Sequence, residues 1–402
     1  MHCRNCDSNQ LEQVIDLGMQ PWGNNFIPFS SKQSSPLYPL EVFFCKNCTM
    51  LQLGYTVSKE VMFVDHHYVS GTTQSLKNHF EKIGEKILQE VLPARQDYIL
   101  DIGGNDGTFL SFFREKVNVL NVDSGVKQAE LSRAQGVECI NRFFNKETAE
   151  NILQQRGTAK AIHGSGIFFH LEELHSVFDG ITLLLDPNGV LIAEFIYLPD
   201  MVKNGAYDQI YHEHLLYYTL YSFSQLLDRH GLMIYDAELL PIHGGSCVAY
   251  IAHKNNGKKQ SDRLKQLIHQ EIQEGFNTIE VYQNFYKNII EMRSKLRKMI
   301  LDFKDQGKSI QALGAPVKGS TILNYCGLTE KEFDCAVEMN RLKCNTYFPG
   351  TRIPVYHQDE AEKPDVYLLL SWNFQEEILA KLGDFREKGG KIIIPLPCPT
   401  VI

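Results

Sequence analysis

The clearest indication of the fold is the stretch Tyr98-Ile99-Leu100-Asp101-Ile102-Gly103-Gly104-Asn105-Asp106-Gly107-Thr108. It begins with a short apolar run that is typical of a buried strand, and its glycines end that strand. A second strand, at residues 118–123, is predicted about 20 residues later and ends with Asp123. Apolar runs at residues 159–163 and 190–196, with helical patterns between the runs, continue the alternation. The sequence therefore predicts a parallel, doubly wound α/β sheet.

The loop after the first strand has the features of a cofactor site. Its glycines allow a ligand to lie against bare backbone, next to helix N–H groups. Asp123 has the place of an acid that accepts hydrogen bonds from ribose hydroxyls, a feature shared with NAD enzymes. Asn105 and Asp106, however, fill the part of the loop that a pyrophosphate would need. The pattern therefore favours S-adenosylmethionine (SAM) over a dinucleotide.

The composition excludes several classes of protein. The 402 residues predict roughly two to three domains, and a hydrophobic share of 43% rules out a mainly disordered chain. Forty lysines and arginines against 48 acidic residues give a formal charge of −8, the wrong sign for a protein whose main partner is nucleic acid. The N-terminus lacks a signal-peptide pattern, and no run reaches the roughly 18 apolar residues of a membrane span. We therefore expect a cytoplasmic protein without a membrane partner.

Two C-x-x-C pairs near the N-terminus have the spacing of zinc ligands, with chance pairing as the alternative. Four thiolates leave no open position on zinc, so the metal is expected to be structural. The chain between the pairs is predicted to be loop-rich, with zinc replacing a hydrophobic core. The predicted ligands are Cys3, Cys6, Cys45 and Cys48. The other cysteines are expected to be reduced thiols: Cys139, Cys247, Cys326, Cys335, Cys344 and Cys398.

The densest group of ionisable residues is Tyr211-His212-Glu213-His214. A histidine beside an acid and a tyrosine suits general base chemistry next to a carbonyl, because imidazole takes a proton and hydroxyl donors steady the enolate oxygen. A catalytic metal site and a purely structural role stay open as alternatives. The turn His243-Gly244-Gly245-Ser246 either brings another histidine to the same pocket or is a solvent-facing loop.

A second α/β unit is predicted in the C-terminal part. Residues 255–306 have apolar side chains at helical spacing and predict connecting helices. A strand at residues 309–313 is followed by the loop Gly314-Ala315-Pro316-Val317-Lys318-Gly319 and a helix. Later strands are predicted at residues 366–370 and 391–394.

Taken together, these motifs resemble those of a known family. The cysteine pairs, Asn105-Asp106-Gly107, Tyr211-His212-Glu213-His214, the His243 turn and the Lys318 loop occur in that order. Over nearly its whole length the chain is similar to sugar C-methyltransferases that act on nucleotide-linked 4-keto-deoxysugars. The resemblance implies an α/β protein with a small zinc-binding domain (1–65) and a class I SAM-dependent methyltransferase domain (66–254). A helical connector (255–306) and a C-terminal Rossmann-like, nucleotide-sugar-binding domain (307–402) are implied to follow.

The resemblance also implies a reaction and its residues. A histidine removes the proton at C3, next to the C4 ketone, and the enolate takes the methyl group from SAM, giving a branched-chain sugar. By position, His214 is the base, Tyr211 and Glu213 orient it or hold the enolate, and His170 and His243 are further candidates. His212 is expected to be structural. The implied SAM contacts are Ser70, Thr72, Asp101, Gly103, Gly104, Asn105, Asp106 and Asp123.

The nucleotide sugar is implied to enter between the methyltransferase and C-terminal domains. Lys318 and Arg352 lie near turn glycines and offer positive charge to a diphosphate, and Tyr211 is a further substrate contact. Each of the two cations is alternatively a solvated surface residue. No catalytic metal and no nucleic acid are implied.

Two positions depart from the family pattern. The usual Glu-Pro pair after the second strand is Asp123-Ser124 here, and a polar Asn pair after the third strand is replaced by Gly164-Ser165-Gly166. Two other functions therefore stay open: methyl transfer to an oxygen or nitrogen of a sugar or another small metabolite, and binding of a nucleotide sugar or SAM without turnover. The oligomeric state also stays open, since no heptad run requires a partner and a monomer fits.

Overall fold

The structure, a computed structural model, describes residues 1–64, 69–72, 74–91, 93–241 and 244–402, without the side chains of Thr72 and Ser75. These residues form three β-sheets of four, seven and eight strands, with helices packed against them. We call the three successive parts of the chain the N-terminal unit (residues 1–64), the central unit (69–253) and the C-terminal unit (262–402).

The N-terminal unit is built on a long antiparallel strand pair. Its elements are β1 (Leu11–Pro21), β2 (Ile27–Pro28), β3 (Leu37–Cys45), β4 (Leu51–Leu53) and helix α1 (Lys59–Phe63). β1 pairs with β3, and β4 extends the sheet. Ile15, Val42 and Phe44 are buried between the strands and their neighbours. The expectation of a loop-rich stretch without a core is therefore wrong, because each strand exposes one face and only their pairing creates the buried one.

The central unit contains the predicted doubly wound sheet. Its elements are α2 (Gln74–Val91), β5 (Tyr98–Ile102), α3 (Thr108–Ser111), β6 (Asn118–Val122), α4 (Val126–Ala134), β7 (Cys139–Ile140), α5 (Lys146–Arg156), β8 (Ala159–Ser165), α6 (Leu174–Leu184), β9 (Leu185–Ile196), α7 (Leu198–Lys203), β10 (Leu216–Tyr217), α8 (Leu220–Arg229), β11 (Leu232–Leu240) and β12 (Ser246–His253). The strand order is β11-β12-β9-β8-β5-β6-β7. The strands from β9 to β7 are parallel, and β12 and β11 add an antiparallel edge. The carboxyl ends of β5, β6 and β8 therefore meet at one edge of the sheet.

The C-terminal unit begins with two helices and continues as a second α/β sheet, whose middle strands are parallel and whose edge strands are antiparallel. Its elements are α9 (Asp262–Gln273), α10 (Ile279–Asp305), β13 (Ile310–Leu313), α11 (Val317–Tyr325), β14 (Cys335–Glu338), β15 (Thr346–Tyr347), β16 (Pro354–His357), β17 (Val366–Leu369), α12 (Gln375–Lys381), α13 (Gly383–Glu387), β18 (Lys391–Ile394) and β19 (Thr400–Val401). The predicted connecting helices and later strands are confirmed. Within the described ranges, no helix has both the length and the apolar character needed to cross a membrane.

Short strands of one unit pair with strands of another unit. β10 of the central unit pairs with β4 of the N-terminal unit, and β2 of the N-terminal unit pairs with β15 of the C-terminal unit. β10 and β2 are each two residues long, too short to be recognised from sequence. The pairing of β10 with β4 matters for function because β10 begins two residues after His214.

Candidate active site

The loop after β5 is shaped by left-handed backbone at Gly103 and Asn105. Their φ angles are +69° and +52°, a region that glycine adopts freely and asparagine tolerates. A Cβ on Gly104 would lie 2.5 Å from Asp101 Oδ2, so a side chain does not fit there. The Asn105 N–H donates to Asp123 Oδ2 at 2.8 Å and ties the loop to the end of β6. This glycine cradle beside a strand-end carboxylate fits a nucleoside cofactor such as SAM.

A second segment closes on this loop. The Ser70 N–H donates to Asn105 Oδ1 at 3.0 Å, and the Gly71 N–H donates to Asp106 Oδ2 at 3.1 Å. A Cβ on Gly71 would lie 2.6 Å from the same Asp106 oxygen, so the 3-10 helix Ser70–Thr72 lies directly against the loop. The structure thus brings Ser70 together with the predicted contacts on β5 and β6.

Two of the predicted residues lie outside what the structure describes. His243 is not among the described residues, and the same holds for the side chain of Thr72. Their roles stay predictions.

Two buried histidine–carboxylate pairs lie close to the loop. His163 Nδ1 lies 2.8 Å from Asp101 Oδ1, and both side chains are buried. Glu194 accepts from His79 Nε2 at 2.9 Å and from Ser165 Oγ at 2.8 Å. Burial raises the pKa of Glu194, but the hydrogen bonds and the charge of its partners bring it below its usual value. Ser165, one of the residues that replace the family's Asn pair, therefore holds an ionised carboxylate at the end of β9.

Asp123 is expected to strengthen the binding of SAM. Burial raises the pKa of this carboxyl to about 6, although hydrogen bonds from the N–H groups of Gly125 and Asn105 act to lower it. In Asp123→Asn the amide cannot accept on both sides, so the loop loses one charge-assisted bond. We expect the dissociation constant for SAM to rise about tenfold or more, measured by calorimetry. Asp305→Asn, an exposed change at the end of α10, is the control, and equal affinity in both variants would contradict the prediction.

A backbone carbonyl fixes the ring of His214. The side chain is 3% exposed, and Nδ1 lies 2.7 Å from the carbonyl oxygen of Gln209. Because a carbonyl oxygen only accepts, Nδ1 carries the hydrogen and Nε2 is the basic nitrogen. The Tyr211 ring lies 3.8 Å from the His214 ring between centroids, and Phe169 packs edge-on at 4.6 Å. The structure thus presents a buried imidazole in one tautomer beside a phenol.

His170 lies in the same group. Its ring centroid is 5.1 Å from that of His214, and its Nδ1 lies 2.5 Å from the carbonyl oxygen of Glu213. The same argument makes Nε2 the basic nitrogen of His170. The sequence-predicted residues His170, Tyr211, Glu213 and His214 are therefore brought together, although His170 is distant from the others along the chain.

Sequence reasoning missed two residues that hold Glu213. Trp22 Nε1 and Asn24 Nδ2 each donate to Glu213 Oε1 at 2.7 Å. Both come from the segment after β1. No local pattern marks them, since nothing near residue 22 indicates contact with a residue far along the chain.

His212 occupies the interface with the N-terminal unit. It is 1% exposed, packs edge-on against Tyr38 at 5.7 Å, and has no ionic partner among the described residues. Burial lowers the pKa of this imidazole from its usual 6.5 to about 4. These surroundings support the structural role expected for His212.

Folding stability is expected to fall as the pH falls below the usual pKa of His212. The unfolded chain binds a proton there near pH 6.5, whereas the folded chain resists it until about pH 4. The stability conferred by the neutral ring is present above pH 6.5, and about 3 kcal/mol of it is lost towards pH 4. Urea unfolding at pH 7, 6 and 5 should show a smaller loss in His212→Phe than in the unchanged protein. Equal losses would contradict this account.

Lys318 lies at the boundary between the central and C-terminal units, and its side chain is 13% exposed. Its Nζ lies 3.8 Å from Asp208 Oδ2, which also accepts from Trp372 Nε1 at 2.6 Å. Lys318 Nζ lies 4.6 Å from the Trp372 ring centre. Arg352 has different surroundings, because it is exposed and stacks on Tyr347 at 5.1 Å. Trp372 was not predicted.

The four predicted zinc ligands form one cluster. Their Sγ atoms all lie within 4.8 Å of one another. The Cys3–Cys48 and Cys6–Cys45 sulfur distances are both 3.5 Å. A tetrahedral zinc with bonds of about 2.3 Å requires sulfurs about 3.8 Å apart, so the set fits the metal closely.

Comparison with known sequences identifies three successive regions. Residues 3–63 match a zinc binding domain, residues 75–237 a methyltransferase domain, and residues 241–397 a C-methyltransferase C-terminal domain. The chain is also 30% identical over 404 aligned residues to the C-methyltransferase NovU of Streptomyces niveus. That alignment covers 100% of this chain and 96% of NovU.

Solved structures resemble a smaller part of the chain. A magnesium protoporphyrin IX methyltransferase of Synechocystis shares 12% identity at a TM-score of 0.34, covering 48% of this chain and 91% of that one. The CurJ carbon methyltransferase shares 13% identity at a TM-score of 0.35, covering 46% and 56%. With the match to NovU along the whole chain, the ordered regions and the four-cysteine cluster, the chain belongs to the SAM-dependent C-methyltransferases that carry an N-terminal zinc-binding domain.

Proposed function

We propose that this C-methyltransferase transfers a methyl group to C3 of a nucleotide-linked 4-keto-deoxysugar and so makes a branched-chain sugar. The observation that carries the proposal is the bond from His214 Nδ1 to the Gln209 carbonyl, because it puts the hydrogen of the buried imidazole on Nδ1 and makes Nε2 the basic nitrogen. Carbon methylation next to a ketone needs such a base, whereas transfer to oxygen or nitrogen needs no carbon acid. The similarity to the C-methyltransferase NovU also favours carbon as the acceptor.

The residues around His214 have complementary roles in this reaction. His214 Nε2 takes the proton from C3, and the electrons of the C–H bond form the enolate of the C4 ketone. Tyr211, whose ring lies beside that of His214, donates a hydrogen bond from its hydroxyl group to the enolate oxygen. Glu213 orients the substrate or the base, and His170 is a second proton acceptor or donor near the sugar.

Residues on β5, β6 and the Ser70 segment are proposed to hold the cofactor. SAM supplies an electrophilic methyl group on a sulfonium, which departs as a neutral thioether and needs no acid. Asp123 accepts from the ribose hydroxyls. The remaining proposed contacts are Ser70, Thr72, Asp101, Gly103, Gly104, Asn105 and Asp106.

The substrate is proposed to lie between the central and C-terminal units. Lys318 is next to this boundary, and Arg352 offers a second cation on the C-terminal unit. We propose domain limits of 1–65, 66–254 and 307–402, with a helical connector between the last two. The C-terminal domain is proposed to bind the nucleotide part.

Product analysis tests this function. The protein is incubated with SAM and a panel of nucleotide-linked 4-keto-deoxyhexoses, and products are followed by mass spectrometry and NMR. The expected product carries a new methyl group bonded to C3. A methyl group on oxygen or nitrogen, or no transfer to any sugar while SAM still binds, would contradict the proposal.

A further inference from the structure

Side chains of the N-terminal unit hold the carboxylate of Glu213. Trp22 Nε1 and Asn24 Nδ2 both donate to Oε1 at 2.7 Å, and Glu213 is 8% exposed. Bonds to a buried carboxylate are stronger than those between neutral groups. Two donors on one oxygen fix the rotation of the carboxylate, and Oε2 forms no hydrogen bond with the described residues.

The segment that carries these donors packs closely against the start of α11. A Cβ on Gly23 would lie 2.9 Å from Val317 Cγ1 and 3.0 Å from the Val317 carbonyl oxygen. Residues 22–24 therefore run between Glu213 and the start of α11, with no space for a side chain at position 23. Pro21 is fixed in the same way, because a Cβ on Gly350 would lie 2.8 Å from its Cγ. Residues 21–24 of the N-terminal unit therefore contact both Glu213 of the central unit and the C-terminal unit.

The charge of Glu213 depends on the same donors. Burial raises the pKa of this carboxyl, whereas Trp22, Asn24 and the positive charge of Lys343 lower it. Lys343 Nζ donates to the Ala315 carbonyl at 2.7 Å, and burial lowers the pKa of its ammonium group. Four other titratable groups are close to these two residues. His212 and His214 flank Glu213 in the chain, and His170 bonds to its carbonyl oxygen. The charge of Glu338 acts on Lys343.

We propose that Trp22 and Asn24 are positioning residues for Glu213, so that the zinc-binding N-terminal unit is a working part of the catalytic site. The inference rests on the proposed function only through the role of Glu213. It assigns the N-terminal unit a task beyond stabilising its own fold. Removing either donor frees the carboxylate to rotate and makes its ionised form less favourable.

The test compares Trp22→Phe and Asn24→Ala with Asn25→Ala. Trp22→Phe keeps an aromatic ring and removes the donor. Asn25 is the matched control, because its amide group forms no hydrogen bond with Glu213 among the described residues. Glutamate labelled with 13C at the side-chain carboxyl is titrated by NMR, and Glu213→Gln assigns the signal. We expect the pKa of Glu213 to rise in both variants and to stay unchanged in Asn25→Ala.

Kinetics and zinc content complete the test. We expect kcat to fall about 10–100-fold in Trp22→Phe and Asn24→Ala, with the acid limb of its pH profile at higher pH. The KM for SAM, the zinc content and the Tm should match those of Asn25→Ala. An unchanged Glu213 titration, or equal losses in Asn25→Ala, would overturn the inference. The titration needs no substrate, so it decides the inference even if no sugar is methylated, a result that would contradict the proposed function instead.

Discussion

Replacing His214 by asparagine is expected to lower kcat for methyl transfer by about 10²–10⁴-fold. Asparagine keeps a polar group near the Gln209 carbonyl but has no basic nitrogen, so the proton at C3 has no acceptor. SAM affinity should change little, because the loop that holds SAM is tied to Asp123 by its own hydrogen bond. Initial rates with saturating SAM and calorimetric titration of SAM measure the two effects separately.

An exposed histidine provides the control for this variant. His269 lies on the surface of α9, and His269→Asn should keep the full rate. His170→Asn separates the two buried histidines and should lower the rate less than His214→Asn if His214 is the base. A His214→Asn enzyme that retains roughly a tenth of the activity or more would contradict the role of His214.

Loss of the zinc site is expected to have the second largest effect. Binding of structural zinc supplies about 10 kcal/mol or more of folding free energy in small zinc domains. In Cys45→Ser we expect less than one zinc per chain, a lower Tm and a methyl-transfer rate lowered about 100-fold or more. Metal analysis, thermal unfolding and initial rates measure these effects.

The rate is expected to fall because the zinc site is joined to His214 through the backbone. The Cys45 N–H donates to the Met50 carbonyl at 2.9 Å, just before β4. The Leu53 N–H then donates to the Leu215 carbonyl, next to His214, at 2.9 Å. Cys398→Ser, at an exposed thiol, is the control and should retain both zinc and activity. Full activity in a zinc-free Cys45→Ser protein would contradict this coupling.

The parts of the site that were predicted from sequence depend on local pattern. The β5 strand, its glycine loop and Asp123 are separated by fixed short distances along the chain, because parallel strands joined by one helix repeat at regular intervals. The cysteine pairs are equally local within each pair. His170 was placed by family resemblance, and the structure then brought its ring within 5.1 Å of His214.

Contacts between units could not be predicted in this way. Trp22 donates to Glu213, and Trp372 donates to Asp208, across 191 and 164 positions of the chain. Both bonds depend on how whole units pack, and no periodicity along the sequence reports that packing. The two-residue strands β2 and β10 were not predicted for the same reason, since only their pairing partners define them as strands.

Hydrogen exchange at C3 of the sugar is the most direct test of proton removal by His214. The protein is incubated in deuterated water with a nucleotide-linked 4-keto-deoxyhexose and no SAM, and NMR follows the C3 proton. We predict enzyme-dependent exchange of this proton, lost in His214→Asn and kept in His269→Asn. Exchange that persists in His214→Asn would contradict proton removal by His214. The absence of C3 exchange with a sugar that the same enzyme methylates once SAM is added would contradict it as well.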